Sequence, residues 1–348
     1  MQKPEIAIIL NPESGSHSEE MVLKVRAALE KSGRPFICLE TDPDQGAKPA
    51  VAKAMESGVQ TVIACGGDGT VMSAVNALGK ADADLKLAIV PGGTANLLAR
   101  ALEVPLDVEE AMAVALEGDE RRIDLGECSD TLFALGLGLG LTEKLVSGAS
   151  AEEKERLGKW AYVKALLEEV GAKPSTFTYT LDDGQEQTTQ GVAVVVANAG
   201  TLSGNIEFAP GAQMDDGKLD LVILHRLYAR DLTRLLVKSL FGAQKTDRAL
   251  TCVAGKTIHI SSNPPLDLQI DGEKVKFHPP LHVEVRPAAL RVAVPSESQK
   301  ASLANALKEK LAKPVVEETQ LPTWRIWGAV AALSALSGAI IWKMYKGK

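Results

Sequence analysis

The alternation of short apolar runs with segments of helical spacing, over the first third of the chain, does most to restrict the possible folds. The runs have the length of buried strands, and the segments between them place apolar residues three and four positions apart. Strands are predicted at 6–10, 36–39, 61–64 and 87–90, and helices at 18–31, 50–56, 71–78 and 95–102. Such alternation predicts a parallel sheet with helices on both faces. We therefore expect a doubly wound α/β nucleotide-binding domain over residues 1–125.

From about residue 123 the pattern changes to short segments rich in β-forming residues. Tight turns are expected at two Asp-Asp-Gly runs, residues 182–184 and 215–217, and a single clear helix is predicted at 151–170. Strands are predicted at 176–181, 192–197, 219–224, 257–261, 266–270 and 281–286. This predicts a second, antiparallel β-sandwich domain over residues 126–295, and leaves open whether its last strands return to the first domain.

The C-terminal region is predicted to be a linker followed by a hydrophobic tail helix. Residues 296–323 form the linker, with an amphipathic helix around 301–312, and residues 324–348 form the tail. Residues 326–342 have no charge, which gives a helix of about 25 Å, slightly short for a bilayer core. Tryptophans and basic residues flank this run, as at membrane interfaces. We expect a membrane-associating tail that either spans the bilayer or lies in its interface; a helix buried in the globular core is the alternative.

Composition argues against nucleic acid as a partner. The net charge is −7 and aromatic residues make up 4% of the chain, whereas nucleic-acid modules need basic faces and exposed rings. The N-terminus runs directly into the first strand without the apolar region of a signal peptide. We therefore expect the globular domains in the cytoplasm, attached to a membrane through the tail.

The glycine-rich turn at residues 66–70 (Gly-Gly-Asp-Gly-Thr) follows the third strand and opens a helix. Glycines let backbone amides approach an anion, and a helix N-terminus adds partial positive charge. A carboxylate at this place, Asp68, is suited to Mg²⁺ or its waters rather than to phosphate itself. The alternative is a simple turn without a ligand, and the flanking strand and helix argue against it.

Two further turns repeat this arrangement after the fourth and first strands. Residues 91–96 read Pro-Gly-Gly-Thr-Ala-Asn, and residues 11–15 read Asn-Pro-Glu-Ser-Gly. Carboxyl ends of parallel strands meet at one sheet edge, so the three turns are expected to form the walls of one anion site. The chain has no Walker A sequence, which argues against a P-loop enzyme.

These turns, together with residues 270–273 (Ile-Asp-Gly-Glu), resemble the catalytic domain of the diacylglycerol kinase and sphingosine kinase family, in its bacterial form. The resemblance covers residues from about 4 to about 295 with the motifs in the expected order. It implies a lipid kinase that uses ATP and Mg²⁺, with its active site between an α/β nucleotide domain and a β-sandwich. A lipid alcohol substrate, a membrane surface and, in some members, a second copy of the chain are the implied partners.

The resemblance also implies roles for individual residues. Glu273 would be the general base that takes the proton from the lipid hydroxyl, and Asp68 would hold the catalytic Mg²⁺, through water. A structural metal would be bound by the Asp216 carboxylate and the carbonyls of Gln213 and Lys218. The residues implied at the ATP site are Asn11, Ser14, Gly15, Thr41, Gly66, Gly67, Asp68, Gly69, Thr70, Gly93, Thr94 and Asn96.

The chain departs from the family pattern at two places, both on the substrate side. Leu97 stands where many bacterial members have Asp, and Thr142 stands where relatives have an Asp that contacts the lipid head group. The lipid therefore stays open between diacylglycerol, a sphingoid-type lipid and other lipid alcohols. Two other functions stay open as well: a soluble kinase resembling NAD kinases, and a non-catalytic lipid- or nucleotide-binding protein at a membrane.

Overall fold

A computed structural model describes residues 3–11, 17–140, 173–203, 206–207, 209, 211–225 and 250–312. The chain divides into a compact unit of residues 1–299 and a second unit of residues 300–348. The predicted helix at 151–170 and the predicted tail at 324–348 lie outside the described residues. Within the described part, no helix is both long and apolar enough to cross a membrane.

The N-terminal part is a parallel sheet with its helices in the expected order. The strands β1 to β4 are parallel and adjacent in the spatial order β2-β1-β3-β4. Because crossovers between parallel strands are right-handed, α1 lies on one face of this sheet and α2 and α3 lie on the other. The elements are β1 Ile6–Leu10, α1 His17–Ser32, β2 Phe36–Glu40, α2 Lys48–Ser57, β3 Thr61–Gly66, α3 Asp68–Lys80, β4 Lys86–Pro91, α4 Leu97–Ala101 and α5 Val108–Glu117.

The C-terminal part is built from antiparallel strands. They are β5 Asp119–Cys128, β6 Thr131–Phe133, β7 Gly136–Leu139, β8 Ser175–Leu181, β9 Gln187–Gly191, β10 Ala193–Ala197, β11 Thr201–Ser203, β12 Ile206–Glu207, β13 Leu219–Leu224, β14 Leu250–Gly255, β15 Thr257–Asn263, β16 Leu268–Ile270, β17 Glu273–Lys274 and β18 Leu281–Val294. A helix, α6 Glu297–Ala312, follows β18.

The long strand β18 connects the two parts. It runs parallel to β4 near its end and antiparallel to β15 near its start, and β5 pairs with it along most of its length. One ten-stranded sheet therefore extends from β2 to β9. A second sheet, in the order β14-β13-β10-β7-β16-β17, packs against the antiparallel half of the first. The mixed α/β N-terminal part and the antiparallel sandwich of the C-terminal part are as predicted.

Two separate apolar cores support these layers. In the N-terminal part, side chains such as Ile8 and Ile63 pack under the helices and are almost fully buried. In the sandwich, Phe177, Leu221 and Ile258 fill the space between the two sheets. Close packing in these cores makes the strands rigid, including the strand ends that carry the glycine turns.

The predicted helix at 95–102 is shorter in the structure, where α4 covers Leu97–Ala101. Asn96 has a left-handed backbone with φ of 48° and so cannot belong to the helix. Another helix, α5, and the strand that follows it were not predicted as individual elements. Asp107 begins α5 by accepting hydrogen bonds from the backbone N–H groups of Glu109 and Glu110.

Candidate active site

The first glycine turn joins β3 to α3 with backbone that a side chain would obstruct. Gly66 has φ of +155°, and a Cβ there would lie 2.7 Å from the Thr70 hydroxyl oxygen. Gly67 then takes an extended conformation and precedes Asp68, the first residue of α3. The turn therefore presents peptide groups at the start of a helix, where partial positive charge favours anions.

The second glycine turn, after β4, lies directly against the first. The Gly92 N–H donates a hydrogen bond to the Gly66 carbonyl at 2.8 Å. A Cβ on Gly93 would lie only 2.7 Å from the Cα of Gly67, so these two backbones touch without an intervening side chain. The adjacency expected from the carboxyl edge of a parallel sheet is present, and it places the backbone groups of the two turns side by side.

The side chains of Asp68 and Asn96 join the two turns. The Asp68 carboxylate accepts hydrogen bonds from the backbone N–H groups of Asn96, at 2.9 Å, and of Leu97. The Asn96 side chain, 8% exposed, accepts from the Gly93 N–H and donates to the Gly93 carbonyl. Sequence reasoning missed this cross-linking, because hydrogen bonds between distant turns leave no local pattern.

Glu273 reaches the same place from the sandwich. It lies at the start of β17 in a two-residue hairpin with β16, where Ile270 pairs with Glu273. The Glu273 Oε1 atom lies 3.6 Å from the position that a Cβ on Gly69 would occupy. The structure thus brings the carboxylate of Glu273 to the first turn of α3, next to Asp68 and the glycine turns.

The residue that shapes this hairpin, Asp271, was not predicted as a site residue. Its carboxylate accepts hydrogen bonds of 2.9 Å from three consecutive backbone N–H groups, those of Ala134, Leu135 and Gly136. Burial raises the pKa of this carboxyl to about 6; the three N–H groups oppose that rise, and the charge of Glu273 adds to it. An Asp-Gly pair signals a hairpin turn, but it does not show which way the aspartate points.

For the other residues predicted at the ATP site, the structure gives their position but few contacts. Asn11 and Thr41 follow β1 and β2 at the same sheet edge, and the Thr41 N–H donates to the Leu10 carbonyl at 2.9 Å. Thr94 is exposed in the second glycine turn. Ser14 and Gly15 lie outside the described residues.

The predicted metal loop is exposed and held by a buried aspartate. The Asp216 carboxylate accepts from the Lys218 N–H at 3.0 Å, and Gln213 is exposed beside it. Asp124, 2% exposed, accepts from the Gly217 N–H at 2.7 Å and donates its own N–H to the Met214 carbonyl. Across the described ranges, no three His, Cys, Asp or Glu side chains are grouped as metal ligands. An aspartate between two apolar residues, Ile123 and Leu125, was the missed signal for Asp124.

Comparison with known proteins gives consistent matches over both parts of the chain. Residues 5–128 match the diacylglycerol kinase catalytic domain, and residues 142–294 match the YegS C-terminal NAD kinase beta sandwich-like domain. A Pseudomonas aeruginosa protein named "Probable lipid kinase YegS-like" is 31% identical over 301 residues, which are 86% of this chain and 97% of that protein. A Staphylococcus aureus diacylglycerol kinase is 28% identical over 76% of this chain and 85% of its own.

A solved structure agrees with these matches. A crystal structure of a Bacillus anthracis protein superimposes with a TM-score of 0.72 at 27% identity, covering 86% of this chain and 97% of that one. Fold, site and matches together define a lipid kinase of the diacylglycerol kinase type. The chain belongs to the diacylglycerol kinase catalytic-domain family, with YegS-like bacterial relatives, and is a phosphotransferase.

Proposed function

We propose that this protein transfers the γ-phosphate of ATP to the hydroxyl of a lipid alcohol, with Glu273 as the general base. The observation that carries this proposal is the position of the Glu273 carboxylate against the first turn of α3. The alcohol oxygen would attack the γ-phosphorus, the bond to the β–γ bridging oxygen would break, and ADP would leave. A carboxylate within hydrogen-bonding reach of the alcohol takes its proton as the new P–O bond forms.

The ATP phosphates would bind at the two glycine turns. Their backbones approach so closely that a Cβ on Gly93 would collide with Gly67, which leaves peptide groups to face the phosphates. The Asn96 side chain holds this surface in place by hydrogen bonds to both the N–H and the carbonyl of Gly93. The full set proposed for ATP is Asn11, Ser14, Gly15, Thr41, Gly66, Gly67, Asp68, Gly69, Thr70, Gly93, Thr94 and Asn96.

Asp68 is proposed to hold Mg²⁺ through water. Both of its oxygens already accept backbone hydrogen bonds, so each keeps a lone pair for a water bound to the ion. When bound, the ion would neutralise part of the negative charge on the phosphates. Gln213, Asp216 and Lys218 offer oxygen ligands of the type that Mg²⁺ prefers, and we propose a structural ion there.

The acceptor is proposed to be diacylglycerol or a sphingoid-type lipid. The Staphylococcus aureus relative is named a diacylglycerol kinase, which supports the first choice, and Leu97 and Thr142 are departures that keep the second open. A tail at residues 324–348 that binds a membrane would raise the enzyme concentration at its substrate plane.

The decisive experiment is incubation with labelled ATP, Mg²⁺ and a panel of lipid alcohols, with the label read in the organic phase. Glu273→Gln is expected to lower turnover by on the order of 10²- to 10⁴-fold with unchanged ATP binding. Glu186→Gln, at an exposed glutamate in the β8–β9 turn, is the matched control and should keep full activity. Full activity of Glu273→Gln would overturn the assigned base, and no labelled lipid from any alcohol would point to a binding protein.

A further inference from the structure

We propose that Asp271 is a positioning residue for the reaction. Its carboxylate anchors the hairpin of residues 268–274 to the crossover of residues 134–136, and this anchor fixes where Glu273 can reach. The inference rests on the proposed role of Glu273 as general base. It adds that the base is held in place by a second carboxylate that does not itself touch the substrate.

The turn of the hairpin has the backbone that this role requires. Asp271 and Gly272 have φ of 48° and 90°, so both central residues are left-handed, as in the tight turns that best connect two antiparallel strands. The Asp271 N–H also donates to the Gly136 carbonyl at 2.9 Å. A turn aspartate commonly faces water, but this one makes four hydrogen bonds to a single tripeptide.

The crossover itself is immobilised from its other side. Asn198, fully buried, donates from its side chain to the Ala134 carbonyl at 2.8 Å. The backbone N–H groups of Asn198 and Ala199 donate to the Leu135 carbonyl at 2.9 and 3.1 Å. The N–H groups of the crossover are therefore aimed at Asp271 by contacts that do not involve the hairpin.

The Glu273 side chain depends on the position of the hairpin because, in the part of the chain that the structure describes, it has no anchoring contact of its own. Among the described residues, its exposed side chain makes no hydrogen bond and no ion pair. Its place beside Gly69 is thus set by the backbone of the hairpin, which is paired to β7 through β16 and tied to the crossover at its turn by Asp271. An error of about 1 Å in the position of a catalytic group can cost on the order of 10²-fold in rate.

The ionisation of Asp271 provides a signature that a purely structural residue would lack. Burial raises its pKa to about 6, so it is ionised at neutral pH and becomes protonated in mildly acidic solution. A protonated carboxyl would point an O–H toward N–H donors and lose part of the anchor. The crossover has no ionisable side chain, and the charged group that acts on Asp271 is Glu273 in the same hairpin.

Asp182 offers a matched control within the same chain. It has φ of 49° in the β8–β9 turn, and its carboxylate accepts from the Lys256 and Thr257 N–H groups at 2.7 and 2.9 Å. Asp182 thus makes the same kind of contact, but the turn that it stabilises does not carry Glu273. Asp182→Asn removes an exposed carboxylate that anchors a turn without Glu273, and Asp271→Asn removes a more buried one that anchors the turn next to Glu273.

The test compares the two variants with the wild type in the labelled-lipid assay between pH 5 and pH 8. Asp271→Asn is expected to lower kcat by about 10- to 100-fold, with the KM for ATP unchanged, and to lose the fall in activity near pH 6. Asp182→Asn should keep the wild-type kcat and pH profile. If Glu273→Gln is inactive but Asp271→Asn behaves like Asp182→Asn, the positioning role is wrong while the proposed function stands.

A measurement on the wild type covers the case in which Asp271→Asn fails to fold. Hydrogen exchange, corrected for intrinsic pH dependence, should show lower protection of the amides at 134–136 at pH 5 than at pH 7.5. The amides of Lys256 and Thr257, which Asp182 holds, should not change. Equal protection of residues 134–136 at both pH values would overturn the proposal.

Discussion

The glycine turns of the α/β part and the hairpin of the sandwich meet at Gly69 and Glu273, and they are held by different means. The turns are cross-linked several times, by Asp68, by Asn96 and by direct backbone contact. The hairpin is held by the pairing of β16 with β7 and, at its turn, by the carboxylate of Asp271. The nucleotide side is therefore expected to tolerate the loss of single contacts better than the side that carries the base, except where a residue serves both purposes.

Asp68 is that exception, so its replacement should have the largest effect of any change in the glycine turns. Asp68→Asn would weaken the bonds to Asn96 and Leu97 and remove the charge proposed to act on Mg²⁺. We expect turnover to fall by on the order of 10²- to 10³-fold in the labelled-lipid assay. The control is Asp107→Asn, since Asp107 also accepts two backbone N–H groups at a helix start, away from the site. A comparable loss in the control would mean that the loss of any carboxylate charge at a helix start inactivates the enzyme.

Gly93→Ala should have the next largest effect, confined to nucleotide binding. The new Cβ would lie 2.7 Å from the Gly67 Cα and force the two turns apart. Overpacking of this kind costs about 1–3 kcal/mol, so the KM for ATP should rise by roughly tenfold or more. Gly33→Ala is the control, because Gly33 has φ of +68° with nothing near its Cβ position. That variant should lose some stability without a change in KM.

Asn96→Ala tests whether the two glycine turns keep their positions when one of their cross-links is lost. It removes both side-chain bonds to Gly93, and the expected loss is about 1–3 kcal/mol in the free energy of unfolding with a rise of only a few-fold in the KM for ATP. Asn76→Ala is matched to it, since Asn76 bonds both polar groups of Leu132, which is not part of either glycine turn. If the KM in Asn96→Ala rose as much as in Gly93→Ala, the cross-links would not be redundant.

The difference between the glycine turns and the hairpin also explains which features could be predicted from the sequence. The order of strands and helices in the N-terminal part is local, and the rule for parallel sheets then places the glycine turns side by side. The position of Glu273 is not local: it depends on pairing of β16 with β7 and on the path of the crossover. The prediction for Glu273 came from family resemblance rather than from strand patterns.

Side-chain direction was the part that could not be predicted. The Asp-Gly pair at 271–272 indicates a turn, yet only the crossover at 134–136 makes Asp271 point inward. Asp68 was predicted from its place in the glycine turn, but its bonds to Asn96 and Leu97 join segments that follow different strands. Such contacts join segments that are distant in the sequence and have no period or spacing in it.

The smallest expected effect is on the free energy of unfolding. It should rise in mildly acidic solution, where turnover is expected to fall. The Asp271 carboxyl has an ordinary pKa of 3.8 and a pKa of about 6 in the fold, so the folded protein binds this proton more tightly than the unfolded chain. Protonation therefore stabilises the fold; the contribution is complete below pH 3.8 and is lost as pH rises through about 6. Between pH 7 and pH 5 the wild type should gain roughly 1.4 kcal/mol relative to Asp271→Asn.

Urea unfolding of both proteins at the two pH values measures this difference, because other titrating groups cancel in the comparison. A relative loss of wild-type stability at pH 5 would contradict the raised pKa of Asp271. With the expected gain, the wild type would lose turnover below pH 6 while its fold becomes more stable. Acid inactivation would then reflect a displaced hairpin rather than unfolding.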